Sequence, residues 1–262
     1  MRNHRVHGVS VLPGVVFLDI VCRILIANGR APGSVELSRI IFSEAVTTTD
    51  RHDREIRLST KGSTIIAESR WLDGTRPFAP WRENFQAQLG SPAGKAEPEP
   101  PRERAVVHER SMADMYAYTA ARRISHGPAM RCAGTLRQSS SDLVADLELV
   151  QPNEMEKLFH LHPAKLDAAT IVAYGQNDAA LTEPFIPMFV SSFRAPRPLL
   201  GAFTVHIPRR ERLTAAGELF HSDVLMFDEH GRFAAEIAGL TCKRIRQPEL
   251  IRKLVAEVDQ YC

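Results

Sequence analysis

The chain has 262 residues, which at roughly 150 residues per domain allows between one and two domains and a proper core. Its 44% hydrophobic and 24% charged residues lie in the globular range and exclude collagen-like, wholly disordered and disulfide-scaffold classes. Lys+Arg of 33 against Asp+Glu of 31 leaves a net charge of +2, too small to call for a nucleic-acid partner. No stretch supplies the roughly 20 consecutive apolar residues of a membrane span, because Val9 to Asn28 is broken by Asp19 and Arg23. Cys22, Cys132, Cys242 and Cys262 show no CxxC spacing, and the N-terminus lacks the layout of a signal peptide. The expectation is a soluble, cytoplasmic protein with reduced thiols.

In chain order, Pro13 and Gly14 open an apolar run, Val15 to Ala27, that predicts a buried helix stopped by Asn28 and Gly29. Alternating β-branched segments near Val35 to Phe42, Glu55 to Thr60 and Ser63 to Ser69 predict strands, with a hairpin at Lys61-Gly62. From Leu89 through Arg104 the chain reads LGSPAGKAEPEPPRER, which suits an extended solvated linker. The division that follows is residues 1–88, a linker over 89–110, a second part over 111–247 and a tail over 248–262.

After the linker, a helix is expected over Ala113 to Ile124, strands near Met130 to Arg137 and Leu143 to Val150, and a helix from Pro163. Further strands are expected at Phe185 to Phe193, Phe203 to Pro208, Glu218 to Phe227 and Arg232 to Ile245, with a hairpin turn over Asp228 to Gly231. The tail from Pro248 suits a short amphipathic helix. Each part thus offers a buried helix followed by antiparallel strands, an α+β arrangement.

Two constellations carry chemistry. The first is NHRVHGVSVLPG, Asn3 to Gly14, an HxxxGxxxxP pattern at His4, Gly8 and Pro13; the second is Leu161-His162-Pro163-Ala164-Lys165-Leu166-Asp167-Ala168-Ala169. With His126-Gly127-Pro128 and Pro184-Phe185 between and after them, they resemble in order the signatures of the dehydratase domains of modular polyketide synthases. The resemblance implies a double hot-dog fold, two halves each with a helix wrapped by an antiparallel sheet, with the active site between the halves. The first half is short of an opening strand ahead of His4.

The implied reaction removes water from a β-hydroxyacyl thioester held on the phosphopantetheine arm of an acyl carrier protein, with no cofactor of the enzyme's own and no metal. It needs a base for the proton beside the carbonyl and an acid for the departing hydroxyl; imidazole suits the base, with an unperturbed pKa of about 6.5. By resemblance His4 is the base and Asp167 the acid. Backbone N–H groups near Gly14 would polarise the thioester carbonyl, Gly8 would let backbone approach substrate, Pro13 would fix the turn into the helix, and Phe185 would line the acyl tunnel.

Two positions depart from the family. Ile171 stands where the family has Gln or His, one turn beyond Asp167, which removes a polar partner and deepens desolvation so that the carboxyl holds its proton. His126 replaces the Tyr of the Tyr-Gly-Pro turn and is expected either to donate to the leaving hydroxyl or to serve only as a turn residue. His160 and His162 are a weak metal pair, and His162 is expected to be structural. Partners implied are a carrier protein and other synthase domains, with dimerisation implied by resemblance and no nucleic acid or membrane. Arg122-Arg123 and Arg209-Arg210 with Arg212 are candidate docking charges. A dehydratase-like cyclase that forms an oxygen heterocycle and a non-catalytic dehydratase-like module are the alternatives.

Overall fold

The computed structural model describes residues 2–92, 94–152, 154–175, 185–208 and 218–245, with positions 249 and 256. The chain opens on β1 (His4–Val6) and β2 (Val9–Val11), then α1 (Val16–Ala27), β3 (Glu36–Phe42), β4 (Thr47–Thr48), β5 (His52–Lys61), β6 (Thr64–Asp73), β7 (Arg76–Pro77) and β8 (Arg82–Gly90). It continues through β9 (His108–Ser111), α2 (Met112–Ala121), β10 (Ile124–His126), β11 (Cys132–Gln138), β12 (Asp142–Leu149) and α3 (Pro163–Tyr174). The strands β13 (Phe185–Arg194), β14 (Phe203–Pro208), β15 (Leu219–Asp228) and β16 (Phe233–Arg244) complete it.

Most strands form one twelve-stranded sheet of order β5-β6-β8-β3-β13-β16-β15-β14-β12-β11-β9, with β7 paired on β6. Residues before the linker supply one end and residues after it the other; they join at β3 and β13, where Leu37 opposes Phe193 and Ile40 opposes Val190. A second, four-stranded sheet of order β10-β1-β2-β4 also mixes the two parts, because β10 comes from beyond the linker.

The helices α2 and α3 pack on strands of the large sheet, and α1 packs on α3. On α1, Val16, Phe17, Leu18, Val21 and Cys22 are buried, and the Phe17 ring stacks on Phe85 of β8 at 5.3 Å. Asn28 and Gly29, at φ +80, end the helix where the sequence predicts, glycine meeting the left-handed turn without a Cβ penalty. α3 is buried from Ala164 through Tyr174, more like a core rod than an amphipathic surface helix. Its start is fixed by Pro163 at the first helical position and by His162, whose Nδ1 accepts from the Ala164 N–H at 3.2 Å, the structural part expected of that residue.

Several expectations are corrected. The helix expected over Ala113 to Ile124 stops at Ala121; Arg123 takes a positive φ of 66°, and Ile124 begins β10. Leu89 and Gly90 belong to β8, and His108 to Arg110 to β9, so among the described residues the stretch without strand or helix runs over 91–92 and 94–107. Nor is it loose: Arg194 donates to the carbonyls of Lys95 and Ala96, Arg197 pairs with Glu97, and Lys95 with Glu36. His4 sits within the smaller sheet. It lies between two strands, its chain paired to β10 on one side and β2 on the other. The strands β1, β2, β4, β7, β8, β9 and β10 were not foreseen; all but β8 are short, and β8 is rich in polar residues. The tail from Pro248 lies outside the described residues, apart from positions 249 and 256, as do Pro184, Arg209, Arg210, Arg212 and Cys262. Cys22, Cys132 and Cys242 are free and buried.

Candidate functional site

The hairpin between β1 and β2 places the first candidate. His7 and Gly8 take φ values of 50° and 84°, the positive pair of a tight two-residue turn, in which a glycine is favoured. That turn is the task of Gly8; it is not among the residues lining the cavity, so the expected approach of its backbone to substrate is corrected. The hairpin lets β1 pair with β10 in a register that sets His4 directly opposite His126. Their rings meet edge to face at 5.0 Å.

His4 is buried, and its Nδ1 donates to the Val11 carbonyl at 2.9 Å. That bond assigns the proton to Nδ1 and leaves the Nε2 lone pair toward Asp167, whose Oδ1 is 4.0 Å away. Burial pushes the His4 imidazole below its ordinary 6.5, against the opposing pull of Asp167, so the ring is neutral at neutral pH.

Asp167 comes from α3. It is the fifth residue of that helix, past the first turn, where the field of the helix end has faded. Ile171, 3% exposed, puts an apolar side chain one turn on, and Thr170 spends its hydroxyl on the Asp167 backbone carbonyl at 2.8 Å. The carboxyl partner comes instead from across the sheet: His126 Nε2 lies 2.9 Å from Asp167 Oδ2. The contact is close but not well aligned with the ring N–H, as is common for catalytic contacts before substrate binds. Desolvation pushes the Asp167 carboxyl up, but His126 and then His4 outweigh it and hold the group below the usual carboxylate range. The expectation that burial keeps Asp167 protonated is therefore corrected, because it took no account of two facing imidazoles.

These side chains line one end of a cavity of about 340 Å³. Pro13, Gly14, Ile171 and Phe185 line it too, while Gly127 and Pro128 do not. Gly127 acts one step back: its N–H donates to the Asn3 carbonyl at 2.7 Å, and a Cβ there would run into the Asn3 side chain. Pro128 opens the single turn Pro128–Met130 that leads into β11. The remaining wall is largely apolar, with Val6, Val11, Phe17, Phe42 and Ile124, a shape suited to an acyl chain.

His4, His126 and Asp167 are the one set among the described residues whose donor atoms all lie within 4.8 Å of one another, as a metal ion requires. A divalent ion about 2.0–2.2 Å from each ligand would need the 2.9 Å His126–Asp167 contact to open. His160 is no part of that set; its Nε2 meets the Ala195 carbonyl at 2.8 Å.

Two residues that the sequence reading left without a role support the site. Asp19, on α1, accepts from the N–H groups of His160 and Leu161 just ahead of α3. The Tyr116 ring packs against His126 at 5.1 Å. A carboxylate inside the apolar run of α1 was the available signal for the first; nothing local marks the second.

The comparisons with known proteins point the same way. The family described as polyketide synthase dehydratase N-terminal domain matches residues 94–252. The chain is 20% identical over 256 residues to polyketide synthase PksM and 20% identical over 270 residues to polyketide synthase PksL, both of Bacillus subtilis strain 168. Those alignments cover 94% and 95% of this chain, which spans about 6% of the length of either synthase. An N-terminal dehydratase from the difficidin assembly line superposes with a TM-score of 0.86 at 24% identity, over 97% of this chain and 92% of that one. A monomeric dehydratase domain from a trans AT polyketide synthase split module gives 0.80 at 21% identity, over 93% of each chain. The dehydratase domain of the CurJ module of curacin polyketide synthase gives 0.78 at 14% identity, over 95% of this chain and 88% of that one. Likeness at these identities speaks for the fold, and it is the hot-dog dehydratase fold.

Proposed function

The chain belongs to the polyketide synthase dehydratase family, and on that premise we propose that it removes water from a β-hydroxyacyl thioester presented by an acyl carrier protein. The observation that carries this reading is the pairing, at one end of one apolar cavity, of a neutral imidazole with its lone pair inward and a buried carboxyl, His4 on β1 and Asp167 on α3.

His4 Nε2 takes the proton from the carbon next to the carbonyl, and its bond to Val11 keeps the ring oriented while charge develops on it. Asp167 faces the departing hydroxyl. Gly14, lining the cavity just ahead of α1, supplies backbone where the thioester oxygen becomes negative. The apolar wall excludes water and holds the acyl chain, and the phosphopantetheine thioester arrives with the carrier protein. The other domains of a polyketide synthase are then the working partners.

The test is direct. Incubated with a β-hydroxyacyl carrier protein, the protein yields an acyl chain lighter by one water, and His4→Ala abolishes the change. Offering a substrate with a second, internal hydroxyl separates dehydration alone from dehydration followed by ring closure. An unchanged acyl chain in every case would leave a non-catalytic module.

A further inference from the structure

His126 does more than shape a turn. Its side chain is 1% exposed, its Nε2 is 2.9 Å from Asp167 Oδ2, and no other charged side chain comes that close to the carboxyl among the described residues. The ring has little freedom. Arg131 Nε holds the His126 backbone carbonyl at 2.8 Å, Tyr116 packs on one side at 5.1 Å, and His4 meets it edge on at 5.0 Å. On its own helix Asp167 has no polar side-chain partner, since Ile171 is apolar and Thr170 is spent on the backbone.

We infer that His126 holds the proton that Asp167 delivers, so that the acid of this site is the His126–Asp167 pair rather than a lone carboxyl. The inference rests on the dehydration reading above and makes His126 a positioning residue that acts through Asp167. The pair begins with one proton between an imidazole and a carboxylate. As His4 takes the α-proton, the C–H electron pair becomes the new C=C bond and the Cβ–O pair leaves with oxygen. The shared proton passes through the Asp167 carboxyl to that oxygen, and water departs. The pair is left as carboxylate and neutral imidazole, and His4 as imidazolium. With His4 Nε2 only 4.0 Å from Asp167 Oδ1, the proton on His4 returns to the pair and the site is reset.

The pair's surroundings fit this role. Besides His4, the ionisable groups that face it are Tyr116 of α2, Cys132 of β11 and Tyr174 of α3, with Arg131 beyond the Tyr116 ring at 5.4 Å. Burial pushes Cys132 up to about 12 and Tyr174 well above its ordinary value, so both stay neutral and neither competes for the proton. A neutral partner pair in a dry wall is also cheaper to bury than a bare carboxylate.

The test compares two leaving groups. A β-hydroxyacyl thioester needs an acid; a β-fluoroacyl thioester expels fluoride with far less help, though both need the base. His126→Phe should lower kcat for the hydroxy substrate by about a hundredfold or more with KM little changed, and kcat for the fluoro substrate by less than about tenfold. His126→Tyr, which restores a hydroxyl donor, should recover part of the first loss, and His4→Ala should abolish both reactions. Equal losses for the two leaving groups in His126→Phe would overturn the inference, as would full activity on the hydroxy substrate. A readout without substrate is the low-field ring proton of His126 in the NMR spectrum, expected in the unaltered protein and lost in Asp167→Ala. Its absence from the unaltered protein would also overturn the pairing, whereas its presence without any water loss would count against the dehydration reading and leave the pairing standing.

Discussion

Asp19, buried on α1, accepts the backbone N–H of Leu161 at 2.8 Å, and its same oxygen takes the neighbouring His160 N–H at 2.9 Å. One carboxyl on the first helix thus fixes the segment from which α3, the helix of Asp167, starts. Burial raises the Asp19 carboxyl above its ordinary 3.8 against those two hydrogen bonds and Arg23, and its second oxygen has no hydrogen-bond partner.

Asp19→Ala strands two buried N–H groups, and loss of hydrogen bonds to a charged acceptor costs about 1.5–3 kcal/mol each. Relief of the desolvated charge offsets part of that sum, so a drop of about 2–4 kcal/mol in unfolding free energy, with kcat falling as α3 loses its anchor, is expected. Asp19→Asn keeps an acceptor and removes the desolvated charge. A raised carboxyl contributes stability that is full below 3.8 and is lost as pH rises through its folded value, so the Asn variant should match or exceed the parent at neutral pH. Denaturant melts of both variants at neutral and acid pH decide it; equal behaviour of Ala and Asn would refute the anchor.

The pH dependence of kcat/KM follows from His4. Burial holds the imidazole below 6.5, so the base stays competent through that value and the acidic limb of the profile lies under it. The folded state binds a proton at His4 less readily than the unfolded chain, so this group also takes stability away as pH falls below 6.5. An acidic limb centred above 6.5 would show that Asp167 dominates His4 rather than burial.

Ile171→Gln tests how the carboxyl is held. With His126 already at 2.9 Å from Asp167, a new amide one turn along α3 adds little, and kcat should change by less than about threefold. In the His126→Phe background the same change should recover part of the lost rate, because two partners of one carboxyl are not additive. A double variant no better than His126→Phe would mean that position 171 cannot reach the carboxyl.

Gly127→Ala is a steric probe of the base. The added methyl meets the Asn3 side chain, next to His4, and overpacking of this kind costs about 1–3 kcal/mol. Displacement of His4 by even a fraction of an ångström should lower kcat more than it lowers the melting temperature would suggest, since small misplacements cost up to about a hundredfold. Parental kcat in Gly127→Ala would show that Asn3 and the β1–β10 register do not position the base.

Much of the fold was legible because local rules and tertiary packing agree in its longer elements. The limits of α1, the start of α3 at Pro163 and the four strands from Phe185 onward follow from apolar runs, caps and alternation, and packing reinforces each of them. The short strands β1, β2, β4 and β10 were not legible. Two or three residues carry no readable period, and these strands exist because each completes a neighbour's backbone hydrogen bonds, β1 with β10 from beyond the linker and β2 with β1 and β4 within the first part.

By itself the sequence determined which chemical groups are present, His4 and Asp167 with Pro13, Gly14 and Phe185, and the local elements that carry them. Only the tertiary structure decided what those groups face. It set His126 against Asp167, removed Gly8, Gly127 and Pro128 from the cavity wall, and held the carboxyl down where burial alone would have raised it. The reason is physical: the state of a buried ionisable group depends on charges and donors within a few ångströms, and those come from β1, β10 and α3, elements that only the register of a sheet shared by both parts of the chain brings together.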